Sequence, residues 1–133
     1  MLVSATIDGV DPSDQSYMNA ASPFTEISVE ELSQKLSTDE GKVQFIDVRE
    51  PQEIEVASLD RFANYPLSQS RQWSDNIASE LDPHAETIVI CHHGMRSAQM
   101  CQWLASQGFS NVKNVVGGID AYAIAVDANV PRY

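Results

Sequence analysis

The stretch that decides the fold reads Ile88-Val89-Ile90-Cys91-His92-His93-Gly94-Met95-Arg96-Ser97. Its apolar start, together with Thr87, is an uninterrupted run of residues with branched β-carbons, which predicts a central buried strand. Residues 97–107 predict a helix, because the apolar side chains fall on one face: Met100, Cys101, Leu104 and Ala105. Gly108 follows where a helix-ending glycine belongs. A strand, a short loop with one glycine and a helix therefore follow one another, and Cys91 ends the strand.

Strands and helices continue to alternate on both sides of this stretch. Strands are predicted at residues 25–27, 43–48, 62–65, 87–90 and 112–116, and further helices at residues 28–36, 51–54, 70–81 and 119–126. The first of these helices opens with Ser28 and Glu31 at the spacing of a capping box. Such alternation is typical of a parallel sheet covered by helices on both faces. We therefore expect an α/β fold with a parallel five-stranded sheet.

Length and composition indicate one ordinary domain. The 133 residues are 43% hydrophobic, which suffices for one packed core but not for two. Residues 1–23 show no sustained hydrophobic period and are predicted to form a flexible N-terminal leader, which leaves residues 24–133 as the domain. The opening residues lack a basic segment followed by a long apolar one, and no stretch reaches about 18 apolar residues. The expected location is therefore the cytoplasm.

The formal charge of −11 restricts the partners of the chain. A chain this acidic repels nucleic acid and anionic membranes, so neither is expected as a partner. The charge is uneven, because residues 1–60 hold 13 acidic and 3 basic side chains, whereas Arg96 is the only charged side chain between positions 88 and 112. An anionic substrate is compatible with that second region. The acidic half itself is best explained as a solvated surface.

Cys91 is the candidate nucleophile. In a parallel sheet, ligands bind beyond the carboxyl ends of the strands, where this thiol would lie. Backbone N–H groups of the short loop and the positive end of the following helix both favour the thiolate, the reactive form of cysteine. The alternative is an ordinary buried thiol, since free cysteine is often a small core residue. Core packing is the prediction for Cys101, which shares an apolar helix face with Met100 and Leu104.

Four segments, taken in order, resemble the rhodanese homology domain and especially its small single-domain members. They lie at residues 27–32, 45–53, 91–97 and 114–122. The second contains Asp47-Val48-Arg49-Glu50-Pro51, the third fits the catalytic loop Cys-x-x-Gly-x-Arg-Ser, and the fourth contains Gly117-Gly118-Ile119. Their order and spacing, rather than any single segment, make the match specific. The resemblance covers residues 24–133.

The resemblance implies a sulfurtransferase. Cys91 would carry sulfur as a persulfide, and the substrate-binding residues would be His92, His93, Gly94, Met95, Arg96 and Ser97. The expected donor is thiosulfate or a persulfide, the expected acceptor is cyanide, a thiol or a protein, and the chemistry needs no organic cofactor and no metal. One departure lies at residues 57–62, Ala-Ser-Leu-Asp-Arg-Phe, where the family usually has Gly-His-Ile-Pro-Gly-Ala. The sequence does not identify a partner that binds the surface formed by these residues.

Two other functions compete with this prediction. One is a small phosphatase or arsenate reductase, but the loop of those relatives resembles Cys-x5-Arg, whereas four residues separate Cys91 from Arg96. The shorter loop suits a single sulfur atom better than a tetrahedral oxyanion, which needs a wider ring of amides. The other competitor is a sulfur-relay or regulatory binding module that acts on another protein. It would share this loop but would turn thiosulfate over weakly.

Five side chains around the loop are open to more than one interpretation. Arg96 either attracts an anionic donor or pairs with a surface carboxylate. Asp47 and Arg49 follow a strand that ends at the same edge of the sheet, and they either orient the loop or form an internal ion pair. His92 and His93 are predicted to pack the loop rather than bind a metal, because adjacent residues rarely converge on one ion.

Overall fold

The computed structural model describes residues 23–38 and 41–133. The predicted leader, residues 1–23, lies outside this part of the chain except for its last residue. The strands are β1 (Thr25–Ile27), β2 (Gln44–Asp47), β3 (Ala63–Asn64), β4 (Thr87–Ile90) and β5 (Val112–Val115). The helices are α1 (Val29–Thr38), α2 (Pro51–Val56), α3 (Ser70–Trp73), α4 (Ile77–Glu80), α5 (Met95–Ser106) and α6 (Gly118–Ala125), with a 3-10 turn at Leu67–Gln69. None of these helices in the described ranges is long and apolar enough to cross a membrane.

The five strands form one parallel sheet in the order β1-β5-β4-β2-β3. The strand β4 lies at its centre, where Val89 pairs with Ile46 of β2 on one side and with Asn114 of β5 on the other. Because the strands run in one direction, their carboxyl ends meet at one edge of the sheet. The predicted α/β fold with a parallel five-stranded sheet is confirmed.

Helices cover both faces of the sheet, and the side chains of β4 alternate between the two. Ile88 and Ile90 face an apolar cluster to which α1 and α6 contribute, among others, Leu32, Ile119 and Tyr122. Val89 and Cys91 face a second cluster, to which α5 contributes Met100, Cys101 and Leu104. The two-residue period of a strand therefore places the Cys91 side chain on the α5 side. Cys101 is fully buried there, as predicted for a packing residue.

The prediction of one continuous helix over residues 70–81 is wrong. The structure has two short helices, α3 and α4, which are separated by Ser74-Asp75-Asn76. Side chains of these three types hydrogen-bond nearby backbone groups and so favour turns over helix interiors. Ile77 is nonetheless 1% exposed, and Trp73 packs against the same cluster as Ile77. The four-residue spacing identified a buried face but not an unbroken helix.

Candidate active site

The Cys91 sulfur lies beneath the loop that follows β4. The residue is only 1% exposed. Its Sγ accepts a hydrogen bond from the backbone N–H of Gly94 at 3.1 Å and lies 3.2 Å from the Ser97 hydroxyl. The Gly94 N–H can donate to a sulfur anion, and charge-assisted hydrogen bonds are the stronger kind. The single Ser97 proton has a closer acceptor in Asn114 Oδ1, at 2.5 Å. Of the predicted cradle of loop N–H groups, one lies at hydrogen-bond distance from the sulfur among the described residues, that of Gly94.

The helix α6 holds the loop from outside by binding its carbonyl groups. The N–H of Ile119 donates to the Cys91 carbonyl at 2.9 Å, and the N–H of Asp120 donates to the His92 carbonyl at 3.1 Å. Gly118 makes this approach possible, because a Cβ at that position would overlap both carbonyl oxygens. Because α6 binds these two carbonyl groups, the loop is fixed from one side, and the Cys91 sulfur lies against its other side.

A second glycine shapes the far end of the loop. Gly94 has a φ of +101° and precedes the first residue of α5, so the helix starts at Met95, two residues earlier than predicted. Positive φ is routine for glycine and costly for other residues. A Cβ here would also approach Val115 and Gly117 backbone atoms to 3.3 and 3.2 Å. Met95 itself points outward, with 76% of its surface exposed at the rim of the loop.

Asn114, a buried polar residue of β5, connects the loop to the sheet. Its Oδ1 lies 2.5 Å from the Ser97 hydroxyl, and its Nδ2 donates to the Gly94 carbonyl at 3.2 Å. Ser97 is 0% and Asn114 is 2% exposed, so these bonds form away from water. Sequence reasoning did not single out Asn114. The available signal was an amide side chain inside a strand, a position where asparagine is depleted.

Arg96 pairs with a carboxylate. Its two terminal nitrogens contact the two oxygens of Glu53 at 2.7 and 2.9 Å, which is a bidentate salt bridge. This hydrogen bonding lowers the pKa of Glu53 to about 2 and raises the pKa of Arg96, so both groups stay charged across the physiological range. Of the two interpretations of Arg96, the structure shows the carboxylate pair. Glu53, on α2, was missing from the sequence-based site.

Asp47 and Arg49 form an internal ion pair. The Arg49 guanidinium is fully buried, and its Nη2 lies 2.7 Å from an Asp47 carboxylate oxygen. Burial alone would lower the pKa of Arg49, but the hydrogen bonds to Asp47 and Tyr133 outweigh it and raise that pKa. The pair reaches the loop through Tyr133, whose hydroxyl accepts from Arg49 and donates to Glu53, each at 2.8 Å. The Tyr133 ring stacks on His92 with 3.9 Å between centroids.

The two adjacent histidines lie close to each other and to one carboxylate. His92, His93 and Asp120 each place one possible ligand atom within 4.8 Å of the others. The imidazole rings, however, stack 3.8 Å apart, so their in-plane lone pairs do not meet within a zinc–nitrogen bond length of about 2.1 Å. Asp120 is also held by Arg132 at 2.8 Å. This arrangement fits loop packing and does not fit a metal centre.

His92 is enclosed between two rings. It lies between His93 and Tyr133, and its Nε2 is buried without a hydrogen-bond partner among the described residues. Burial, with the neighbouring His93 charge, lowers the pKa of His92. A neutral imidazole is therefore the favoured state of His92, next to Cys91.

The chain is similar in sequence to a known domain family and to two proteins of plants and bacteria. A family model described as the rhodanese-like domain matches residues 28–125. The chain is 47% identical over 113 residues to the rhodanese-like/PpiC domain-containing protein 12, chloroplastic, of Arabidopsis thaliana, which covers 84% of this chain and 38% of the relative. It is 37% identical over 99 residues to the putative sulfur carrier protein YrkF of Bacillus subtilis, covering 74% and 51%. The chain thus spans about half, or less, of the length of these relatives.

Solved structures agree with the family match. A rhodanese-related protein from Thermoplasma volcanium superposes with a TM-score of 0.63 at 28% identity, over 81% of this chain and 96% of the other. The family model spans the strands β2 to β5, the six helices and the loop that follows β4. The chain belongs to the rhodanese-like domain family.

Proposed function

We propose that this chain is a sulfurtransferase that carries sulfane sulfur as a persulfide on Cys91. The observation that carries the proposal is the position of Sγ at the carboxyl end of β4, with the Gly94 N–H directed at it and the Ser97 hydroxyl 3.2 Å away. The Gly94 N–H lowers the free energy of negative charge at the sulfur, both in the attacking thiolate and in the persulfide anion that replaces it. The loop residues 92–97 form the proposed substrate site.

The proposed reaction is a double displacement. The Cys91 thiolate attacks the outer sulfur of the donor, and the bond from that sulfur to the rest of the donor breaks. With thiosulfate, sulfite leaves with the bonding electron pair; with a persulfide, a thiolate leaves. An acceptor nucleophile, either cyanide or a thiolate of a small molecule or protein, then attacks the outer sulfur of the Cys91 persulfide. The Cys91 thiolate is released unchanged, so no oxidant or reductant is consumed.

A relay between protein thiols is the second candidate, and the bidentate Arg96–Glu53 pair favours it. The pair neutralises the one permanent charge of the loop, which weakens the case for an anionic donor such as thiosulfate. The sulfur-carrier name of the YrkF relative agrees with a relay. In this second candidate function, the donor and the acceptor are both thiols of proteins. We further propose a reducing location such as the cytoplasm, because both cysteines are unpaired and Cys91 acts as a thiolate.

The experiment that tests the function compares two donors on the full chain. Thiocyanate formation is followed with thiosulfate and cyanide, and thiol-to-thiol sulfur transfer is followed with cysteamine persulfide. We expect turnover with the persulfide, and weaker turnover with thiosulfate. Cys91→Ser, shown by circular dichroism to be folded, should lose both reactions. Absence of both reactions in the native chain, or full turnover by the serine variant, would overturn the proposal.

A further inference from the structure

The Glu53 carboxylate accepts four hydrogen bonds beside the catalytic loop. Its Oε1 is bound by Arg96 at 2.7 Å and by the Glu50 N–H at 3.0 Å, and its Oε2 by Arg96 at 2.9 Å and the Tyr133 hydroxyl at 2.8 Å. The Glu53 side chain is 20% exposed, so water screens this cluster only in part. Glu53 therefore holds Arg96 in one position and also cancels its charge.

The arginines around the loop are matched by carboxylates. The pairs are Arg96 with Glu53, Arg132 with Asp120, and Arg49 with Asp47. Each pair is neutral as a unit, so an ionised Cys91 leaves the loop with a negative charge. A dianion approaching this loop meets repulsion from the thiolate without a compensating free cation. A donor with no net charge does not meet that penalty.

Resting on the proposed function, we propose that Glu53 is a specificity-determining residue of this sulfurtransferase. By neutralising Arg96, it disfavours dianionic donors such as thiosulfate and leaves the site selective for persulfides carried by thiols or proteins. Without the Glu53 charge, the Arg96 guanidinium would offer a positive charge and several N–H donors to a sulfonate group. Glu53 thus acts through Arg96 on the choice of donor and does not itself touch the reacting sulfur.

The variant Glu53→Gln isolates the charge. Glutamine keeps the size of the side chain, and its amide oxygen still accepts from Glu50 or Arg96. A full positive charge about 6 Å from a dianion in aqueous surroundings is expected to raise kcat/KM for thiosulfate about tenfold relative to cysteamine persulfide, whose ammonium balances its persulfide anion. Glu55→Gln is the matched control, because Glu55 is an exposed residue of the same helix.

The experiment measures kcat/KM for both donors in the native chain, Glu53→Gln, Glu55→Gln and Glu53→Gln combined with Arg96→Gln. We expect the thiosulfate-to-persulfide ratio to rise in Glu53→Gln alone and to return to the native value in the double variant. The rise should also shrink at high salt, since exposed charges are screened beyond about 10 Å at 0.1 M and over shorter distances at higher salt. A change of loop shape alone would not depend on salt.

The two proposals fail in different ways. If the native chain forms a Cys91 persulfide but Glu53→Gln leaves the donor ratio unchanged, or if the double variant keeps the raised ratio, the role of Glu53 is refuted and the sulfurtransferase remains. If neither donor adds sulfur to Cys91 in any folded variant, the function itself is refuted. Because the readout is a ratio of two donors in one protein sample, a partly unfolded variant does not imitate the expected result.

Discussion

Replacing Asp47 with asparagine is expected to destabilise the fold strongly, because it leaves a buried cation without its counter-charge. The Arg49 side chain is 0% exposed and makes three hydrogen bonds to the Asp47 carboxylate, at 2.7, 3.0 and 3.2 Å. Asparagine keeps one acceptor but directs an N–H2 group at guanidinium donors. Breaking a buried pair in this way costs about 3–5 kcal/mol. That is a large part of the roughly 5–15 kcal/mol that stabilises a domain.

The assay is equilibrium unfolding in urea, with the free energy of unfolding extrapolated to water. Asp75→Asn is the matched control, since Asp75 is exposed, and it should change stability by less than about 0.5 kcal/mol. Combining Asp47→Asn with Arg49→Met should recover part of the loss, because both charges are then gone. A loss below about 1 kcal/mol for Asp47→Asn would refute the reasoning that the pair is buried and dry.

Three further predictions follow from the site. Cys101→Ser should keep most of the turnover, because Cys101 is fully buried and burial raises its pKa to about 12, which leaves it inert as a nucleophile. Gly118→Ala should lower kcat/KM at least about 100-fold, because its Cβ displaces the Cys91 and His92 carbonyls. The stability difference between the native chain and Glu53→Gln should be constant above about pH 4.5 and shrink toward about pH 2, because folding lowers the pKa of Glu53 from 4.5 to about 2.

Each of these predictions has its own control. Loss of turnover in folded Cys101→Ser would indicate a mechanism with two thiols. Gly108→Ala matches Gly118→Ala in positive φ but meets no atom within 4 Å, so equal losses of activity in both would attribute the effect to backbone strain rather than to the loop. For the pH series, urea unfolding of Glu55→Gln gives the baseline. A difference that stays constant down to pH 2 would contradict the assigned Arg96–Glu53 pair.

The part of the site that the sequence predicts is the part formed by neighbouring residues. Strand β4, the loop and helix α5 follow one another, so local pattern alone predicted that Cys91 follows a central strand and that Gly94 lies in the loop before the helix. Alternation of side chains along β4 also determines the face on which Cys91 lies. Local pattern was sufficient because the loop is short and both flanking elements are regular.

The residues that sequence reasoning missed come from other elements. Glu53, Asn114 and Asp120 reach the loop from α2, β5 and α6, and their side chains acquire roles only when the sheet brings these elements to one edge. A charged residue on a short helix has the same local pattern whether it faces water or an arginine 43 positions away. The error at residues 70–81 has a different cause, since the three polar residues at 74–76 that favour a turn are local, and the prediction followed the apolar spacing instead.

The central claim is that Cys91 carries the transferred sulfur, and intact-protein mass spectrometry tests it most directly. The native chain is treated with cysteamine persulfide or excess thiosulfate, freed of donor, and measured before and after addition of cyanide. The account predicts a gain of one sulfur atom, located on Cys91 by peptide mapping, and its complete removal by cyanide. Cys101→Ser should show the same gain and Cys91→Ser none. A native chain without the adduct, or an adduct that persists in Cys91→Ser, would contradict the account.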